Sequence, residues 1–217
     1  MKKKFKYGYI LILIMVLVIS SMGATYAYFA ASVSSANVVG TGSKAYNMSM
    51  ELNSLYDGFT VIPMDDEYVI KALNNECHDK YDRGVCLAYT VKLSGYDEAL
   101  GYVSGIMNVD TNDIQNLSYV TLVETTSDIN DENCVTIDDT SYCKAINIGR
   151  VIPQQDVSLG DRYDIVGTSE KKLLLVIWLS NLDNNQNDTD IGSFTADVTF
   201  SMGSGGEIKG TIIATMN

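Results

Sequence analysis

The sequence predicts an all-β fold of the sandwich or jelly-roll kind, with one short helix, behind an N-terminal signal peptide. Three observations predict it. Segments of alternating apolar and polar residues recur along the chain, and Asn, Asp and Gly fill the connections between them. A parallel α/β sheet would need repeated amphipathic helices of about 10–15 residues, and the sequence has none. Residues 1–27 read as signal peptide, 28–44 as an extended leader and 45–217 as the β-domain.

Lys2, Lys3, Lys4 and Lys6 form a positive start, followed by the apolar run Ile10–Ile19 and then small residues at Ser20, Ser21, Gly23, Ala24, Thr25 and Ala27. That order matches a secretory signal cut after Ala27, with Thr25 at the minus-three position. An uncleaved anchor competes, because Tyr7 to Ala31 is uncharged and a bilayer core needs about 20 residues. Both readings place the domain outside the cytoplasm. Removing residues 1–27 takes four of the 15 basic residues and leaves 11 against 27 acidic ones, a net charge of −16. Such a surface repels phosphate backbones and anionic membranes, so nucleic acid is excluded as a partner.

Residues 28–44 are small and polar, but Val33, Val38 and Val39 let them run as a strand. Tyr46, Met48, Met50 and Leu52 then alternate, the pattern of a half-buried strand. After Pro63, Asp65–Asn75 reads as a short helix, with Asp65 or Asp66 as cap and an acidic first turn that suits the helix dipole. Tyr81-Asp82-Arg83-Gly84 reads as a turn.

Leu87, Tyr89, Val91 and Leu93 should face a core, with Ala88, Thr90 and Lys92 towards solvent. Further strands are expected over 100–109, 117–124 and 143–148. Leu173–Leu179 has no polar face and should be a central strand covered on both sides, or a buried helix. Phe194, Ala196, Val198, Phe200 and Met202 alternate before a Gly203–Gly206 turn, and Ile208–Met216 completes a hairpin.

The four cysteines are Cys77, Cys86, Cys134 and Cys143. In an exported chain an even count reads as disulfides, and sequence-adjacent pairing, Cys77–Cys86 and Cys134–Cys143, closes two short loops. Zinc is disfavoured, because the spacing is not that of paired Cys-x-x-Cys knuckles and His78 abuts Cys77.

Little catalytic chemistry is legible. His78 is the single histidine, which removes most triad and metal arrangements. Asp65-Asp66 and Asp138-Asp139 are paired carboxylates, but adjacency does not set the separation a glycosidase needs. In Asp183–Asp190, an EF-hand register would put Asp188 where glycine belongs and Phe194 where glutamate belongs. A solvated loop is the better reading there, with Asp183, Asp188 and Asp190 the ligands if calcium binds. The tyrosines in strand patterns, Tyr46, Tyr89, Tyr102 and Tyr119, default to packing. The chain is therefore read as non-enzymatic, with no catalytic, cofactor or metal residues.

Gly23-Ala24-Thr25-Tyr26-Ala27-Tyr28-Phe29 resembles the export boundary of TasA/camelysin-type proteins, which Gram-positive bacteria export through a SipW-type signal peptidase. Leu175-Val176-Ile177-Trp178-Leu179 and Asp190–Phe200 resemble the paired C-terminal strands of that group. The resemblance implies a jelly-roll-like β-sandwich, secreted or on the cell surface, serving as a matrix or biofilm fibre subunit. It implies self-association by donation of residues 28–44 to a neighbour's sheet, freed by signal peptidase. Camelysin-like proteins are associated with metallopeptidase activity, but no metal-ligand motif carries onto this chain. The four cysteines depart from the simplest members, and a Leu-Pro-x-Thr-Gly tail is absent. The competing function is a monomeric cell-surface adhesion or ligand-binding module.

Overall fold

The structure is a computed structural model. It describes residues 29–30, 36–38, 48–56, 60–95, 100–111, 114, 116–125, 134–181, 193–203 and 206–215. The signal segment 1–27, most of the leader, Tyr46 and the loop carrying Asp183, Asp188 and Asp190 lie outside the described residues.

The fold is mostly β. In chain order the strands are β1 (Phe29–Ala30), β2 (Ala36–Val38), β3 (Met48–Ser54), β4 (Thr60–Val61) and, after the helical turn, β5 (Cys86–Gly95). There follow β6 (Leu100–Thr111), β7 (Leu117–Glu124), β8 (Cys134–Ile137), β9 (Thr140–Arg150) and β10 (Asp156–Val166). The last three are β11 (Glu170–Leu179), β12 (Ser193–Met202) and β13 (Glu207–Thr215). A 3₁₀ turn over Asp66–Tyr68 runs into α1 (Val69–Leu73), which is the short helix the sequence predicts.

Two main sheets result: a four-stranded one ordered β10-β6-β12-β13 and a seven-stranded one ordered β2-β3-β5-β11-β7-β9-β8. A small ribbon pairs β1 with β4. The named strands pair antiparallel throughout. Alternation places Met50, Leu52, Tyr89, Val91 and Leu175 in one core with Met107, Val198 and Phe200 of the opposing sheet. This shared core makes the two sheets a sandwich.

Central β11 explains its own lack of a polar face. Leu173, Leu175, Ile177 and Leu179 enter the inter-sheet core, while Leu174, Val176 and Trp178 enter a second core on the other face. That second core is closed by Ile62, Met64, Val69, Leu73 and Val85 from the segment between β4 and β5. Ala88 corrects the expected solvent face of β5: it is fully buried beneath this segment. Thr90 and Lys92, further along, are half-buried.

β10 lacks clean alternation because it is bulged. Its register with β6 shifts on both sides of Gly160, which lies opposite Gly105. The missing side chains leave room for two rings. Phe200 of β12 lies over Gly105 and Tyr163 over Gly160, with ring centroids 6.3 Å apart. The Tyr163 hydroxyl donates to the carbonyl of Leu159. Burial first, and then Asp161, push the Tyr163 phenol up from 10.0 to about 12. The folded state thus holds the proton more tightly than the unfolded chain. Its contribution to stability is complete below pH 10 and is lost as pH rises from 10 through about 12. Urea midpoints measured across that window should fall, and Tyr163→Phe should flatten the fall.

Thr121 of β7 is buried with its hydroxyl unpartnered. A buried orphan hydroxyl costs about 1–3 kcal/mol, and valine removes it while keeping the branched shape. Thr121→Val is expected to stabilise the fold by about 1 kcal/mol, read as a higher denaturant midpoint at unchanged slope.

Candidate functional site

The segment between β4 and β5 both seals the second core and builds a groove of about 650 Å³ on the surface above it. Three ties hold it to the sheet. The Met64 amide donates to the Leu179 carbonyl at 2.9 Å, and the Asn181 amide to the Met64 carbonyl at 2.9 Å. The Cys77–Cys86 disulfide closes the segment onto β5, and Cys134–Cys143 joins β8 to β9, both as sequence-adjacent pairing predicts.

The third tie corrects the expected role of Asp65 and Asp66. Neither caps the helix; Asp65 stands at the N-cap without a side-chain cap bond. Instead Asp66 Oδ1 accepts from Trp178 Nε1 at 2.8 Å and from Ser180 Oγ at 2.6 Å. Asp65 accepts from Asn181 Nδ2 at 2.9 Å. Ser180 lies 2.5 Å from Ser118 Oγ, so the carboxylate ends a short buried polar chain. This arrangement satisfies the indole N–H that Trp178 would otherwise bury.

The disulfide loop is equally fixed. Asp79 accepts from the backbone N–H of Tyr81 at 2.8 Å and of Arg83 at 3.0 Å, and from Arg83 Nε at 2.8 Å and Nη2 at 2.5 Å. Burial alone would push this carboxyl up, but the Arg83 guanidinium and the two N–H groups hold it below its ordinary value. Glu76, Cys77 and Asp82 all take positive φ, between 52° and 63°, which turns the chain tightly at little length. The loop therefore presents Tyr81 outward, 65% exposed. Lys80 Nζ stands 4.8 Å and Arg83 Cζ 5.1 Å from its ring centroid.

Across the groove, the helical turn supplies Tyr68, 47% exposed, and Lys71. Ile62, Met64, Ala72 and Val85 lie beneath as a buried floor. His78 lines the groove too, bridged to Gly84 rather than grouped with other metal-binding side chains. Among the described residues no cluster of three or more His, Cys, Asp or Glu could hold a metal ion.

The other carboxylate pair is explained by backbone geometry. Asp138 and Asp139 form the two-residue turn between β8 and β9, with φ of 47° and 59°. Tight hairpins require positive φ at both central residues, and Asp tolerates it better than most side chains. The sequence reading singled out His78, Asp65-Asp66 and Asp138-Asp139 one by one, and the structure brings only His78 and Asp65 to the groove, while Asp66 turns to Trp178 and Ser180. It missed Lys71, Lys80 and Tyr68 altogether. The available signal was the occurrence of three cations between positions 71 and 83 of an otherwise acidic chain.

No family model matches the sequence, and no curated protein sequence matches it. Among solved structures the chain is similar to a FixG-related protein from Vibrio parahaemolyticus, with TM-score 0.34 and 7% identity over 80% of this chain and 98% of that one. It is similar to Spo0M, a sporulation control protein from Bacillus subtilis, with TM-score 0.35 and 9% identity over 80% of this chain and 51% of that one. It is also similar to the cupredoxin domain of amoB from Nitrosocaldus yellowstonii, with TM-score 0.34 and 11% identity over 81% and 89%. At these scores none of the three names is carried over to this chain. Among the described residues no helix is long and apolar enough to cross a membrane.

Proposed function

We propose that this chain is an exported, non-enzymatic structural subunit of an extracellular matrix or surface fibre, assembled by β-strand donation. In this reading residues 1–27 are removed by a signal peptidase, the sandwich is jelly-roll-like, and the product acts outside a Gram-positive cell as TasA/camelysin-type proteins do. The observation that carries it is the place of the leader. β2 extends the seven-stranded sheet beyond β3, in the register Ala36↔Leu52, Asn37↔Glu51 and Val38↔Met50. β1, from the same leader, pairs with β4. The β2–β3 pairing is a backbone pairing of three residues at one end of the seven-stranded sheet, of the kind a neighbour's leader would make in the same register. Within one subunit the leader covers its own edge; exchanged between subunits, it links them and still leaves that edge paired.

Cysteines at Asn37 and Glu51, which are register partners in β2 and β3, test the exchange. Oxidising assembled Asn37→Cys/Glu51→Cys protein should give a ladder of chain-to-chain cross-links on a non-reducing gel. Cross-links confined within single chains, in assembled material, would contradict donation. The second reading, a monomeric ligand-binding module, is favoured by the preorganised groove.

A further inference from the structure

We propose that the groove between α1 and the Cys77–Cys86 loop is a binding site for a carboxylate-bearing polysaccharide. The site goes beyond fibre assembly and shares no residue with the β2–β3 edge.

Charge indicates an anion. The chain carries a net charge of −12, yet Lys71, Lys80 and Arg83 all line this one groove. The lining also holds two acids: Asp79 is ion-paired with Arg83, and Asp65 accepts from the neutral Asn181 amide and keeps its charge, so three cations against two carboxylates leave one positive charge in excess. Lys71 and Lys80 pair with no carboxylate among the described residues, so two ammonium groups remain for a ligand. The acidic remainder of the surface repels polyanions in general, which confines attraction to this place.

The walls select a sugar chain over an acidic peptide. Docked peptides bury side chains in apolar sockets, whereas the floor residues Ile62, Met64, Ala72 and Val85 are only 3–7% exposed. What a ligand meets is Tyr68 on one side and Tyr81 with its cations on the other. A half-exposed phenol gives a flat apolar face and a polar rim, which suits a pyranose ring. An ammonium group suits the ring's carboxylate by a charge-assisted hydrogen bond. A groove of about 650 Å³ has room for a short run of sugar units. The disulfide and the Asp79 clasp fix the loop beforehand, so little ordering is lost on binding.

The test is calorimetric titration of the purified monomeric fraction with polygalacturonate, its methyl ester and poly-L-glutamate. Saturable binding to polygalacturonate is expected, at least tenfold weaker for the methyl ester and for Lys71→Ala/Lys80→Ala. Tyr68→Ala should weaken polygalacturonate binding about fivefold. All these side chains are exposed, so circular dichroism should be unchanged. Absence of binding, equal binding of the ester, or equal binding of poly-L-glutamate that Tyr68→Ala does not alter would each overturn the proposal. Because the titration uses monomer, its result is independent of whether fibres form.

Discussion

Deleting residues 28–44 while keeping the signal boundary is expected to abolish polymers and leave a folded monomer. The reason is the small share of the fold that the leader supplies. Its described parts contribute backbone pairing to β3 and β4, about 1 kcal/mol net for each hydrogen bond lost. Among the described residues, the core strand β3 has partners other than the leader. Met48, Met50 and Leu52 of β3 remain paired to β5 from Met48↔Gly95 to Ser54↔Tyr89 and packed in the inter-sheet core. Cooperative unfolding should therefore persist, with a midpoint lowered by several degrees at most, while light scattering and electron microscopy detect no filaments. Undiminished filaments from the truncated chain would sink strand donation.

Gly160→Ala is expected to cost about 3–4 kcal/mol, from two independent causes. The backbone there has φ of 147°, which a residue with a Cβ adopts only under strain of about 1–3 kcal/mol. A Cβ would also stand 2.0 Å from the Tyr163 hydroxyl and 2.4 Å from its ring. The ring cannot withdraw freely, since Phe200 packs beside it. Displacing it breaks the bond to the Leu159 carbonyl and leaves buried polar groups unpaired. For a chain of this size the loss should appear as a drop of roughly 10 °C in Tm. Gly101→Ala is the control, since a Cβ there meets nothing within 4 Å. A similar Tm for the two variants would show that the ring packing at Gly160 is not rigid.

The legible part of this fold is the part where period two survives. β3, β5 from Tyr89 onward and β12 alternate, and β11 announces two dry faces by having no polar one. β10 was hidden because the bulge at Gly160 shifts Leu159, Tyr163 and Ile165 out of simple alternation, although all three are buried. β8 has four residues, too few to show a period. Ala88 was misread because its cover comes from residues 62–85, a contact that no local pattern encodes. The same holds for Asp65 and Asp66, which a helix start explains locally but Trp178, Ser180 and Asn181 claim in the fold. Both disulfides were legible, since nine residues of separation favour sequence-adjacent pairing.

The groove was not legible as a site. Lys71 belongs to a helix and Lys80 to a disulfide loop, and they line one groove only after Cys77 joins Cys86 and Asp66 ties the helical turn to β11. Of the strand tyrosines expected to pack, Tyr89 and Tyr119 are buried, but Tyr102 of β6 is 44% exposed with Arg162 over its ring, which corrects that expectation. Tyr68 and Tyr81, outside the strands, are exposed too.

The most direct measurement is intact mass of the protein secreted by its own host, with native sizing of the same sample. The account predicts a chain beginning near Tyr28, lighter by four hydrogens for its two disulfides, in a ladder of oligomers. A full-length monomer held in the membrane would contradict it and leave a tethered surface module.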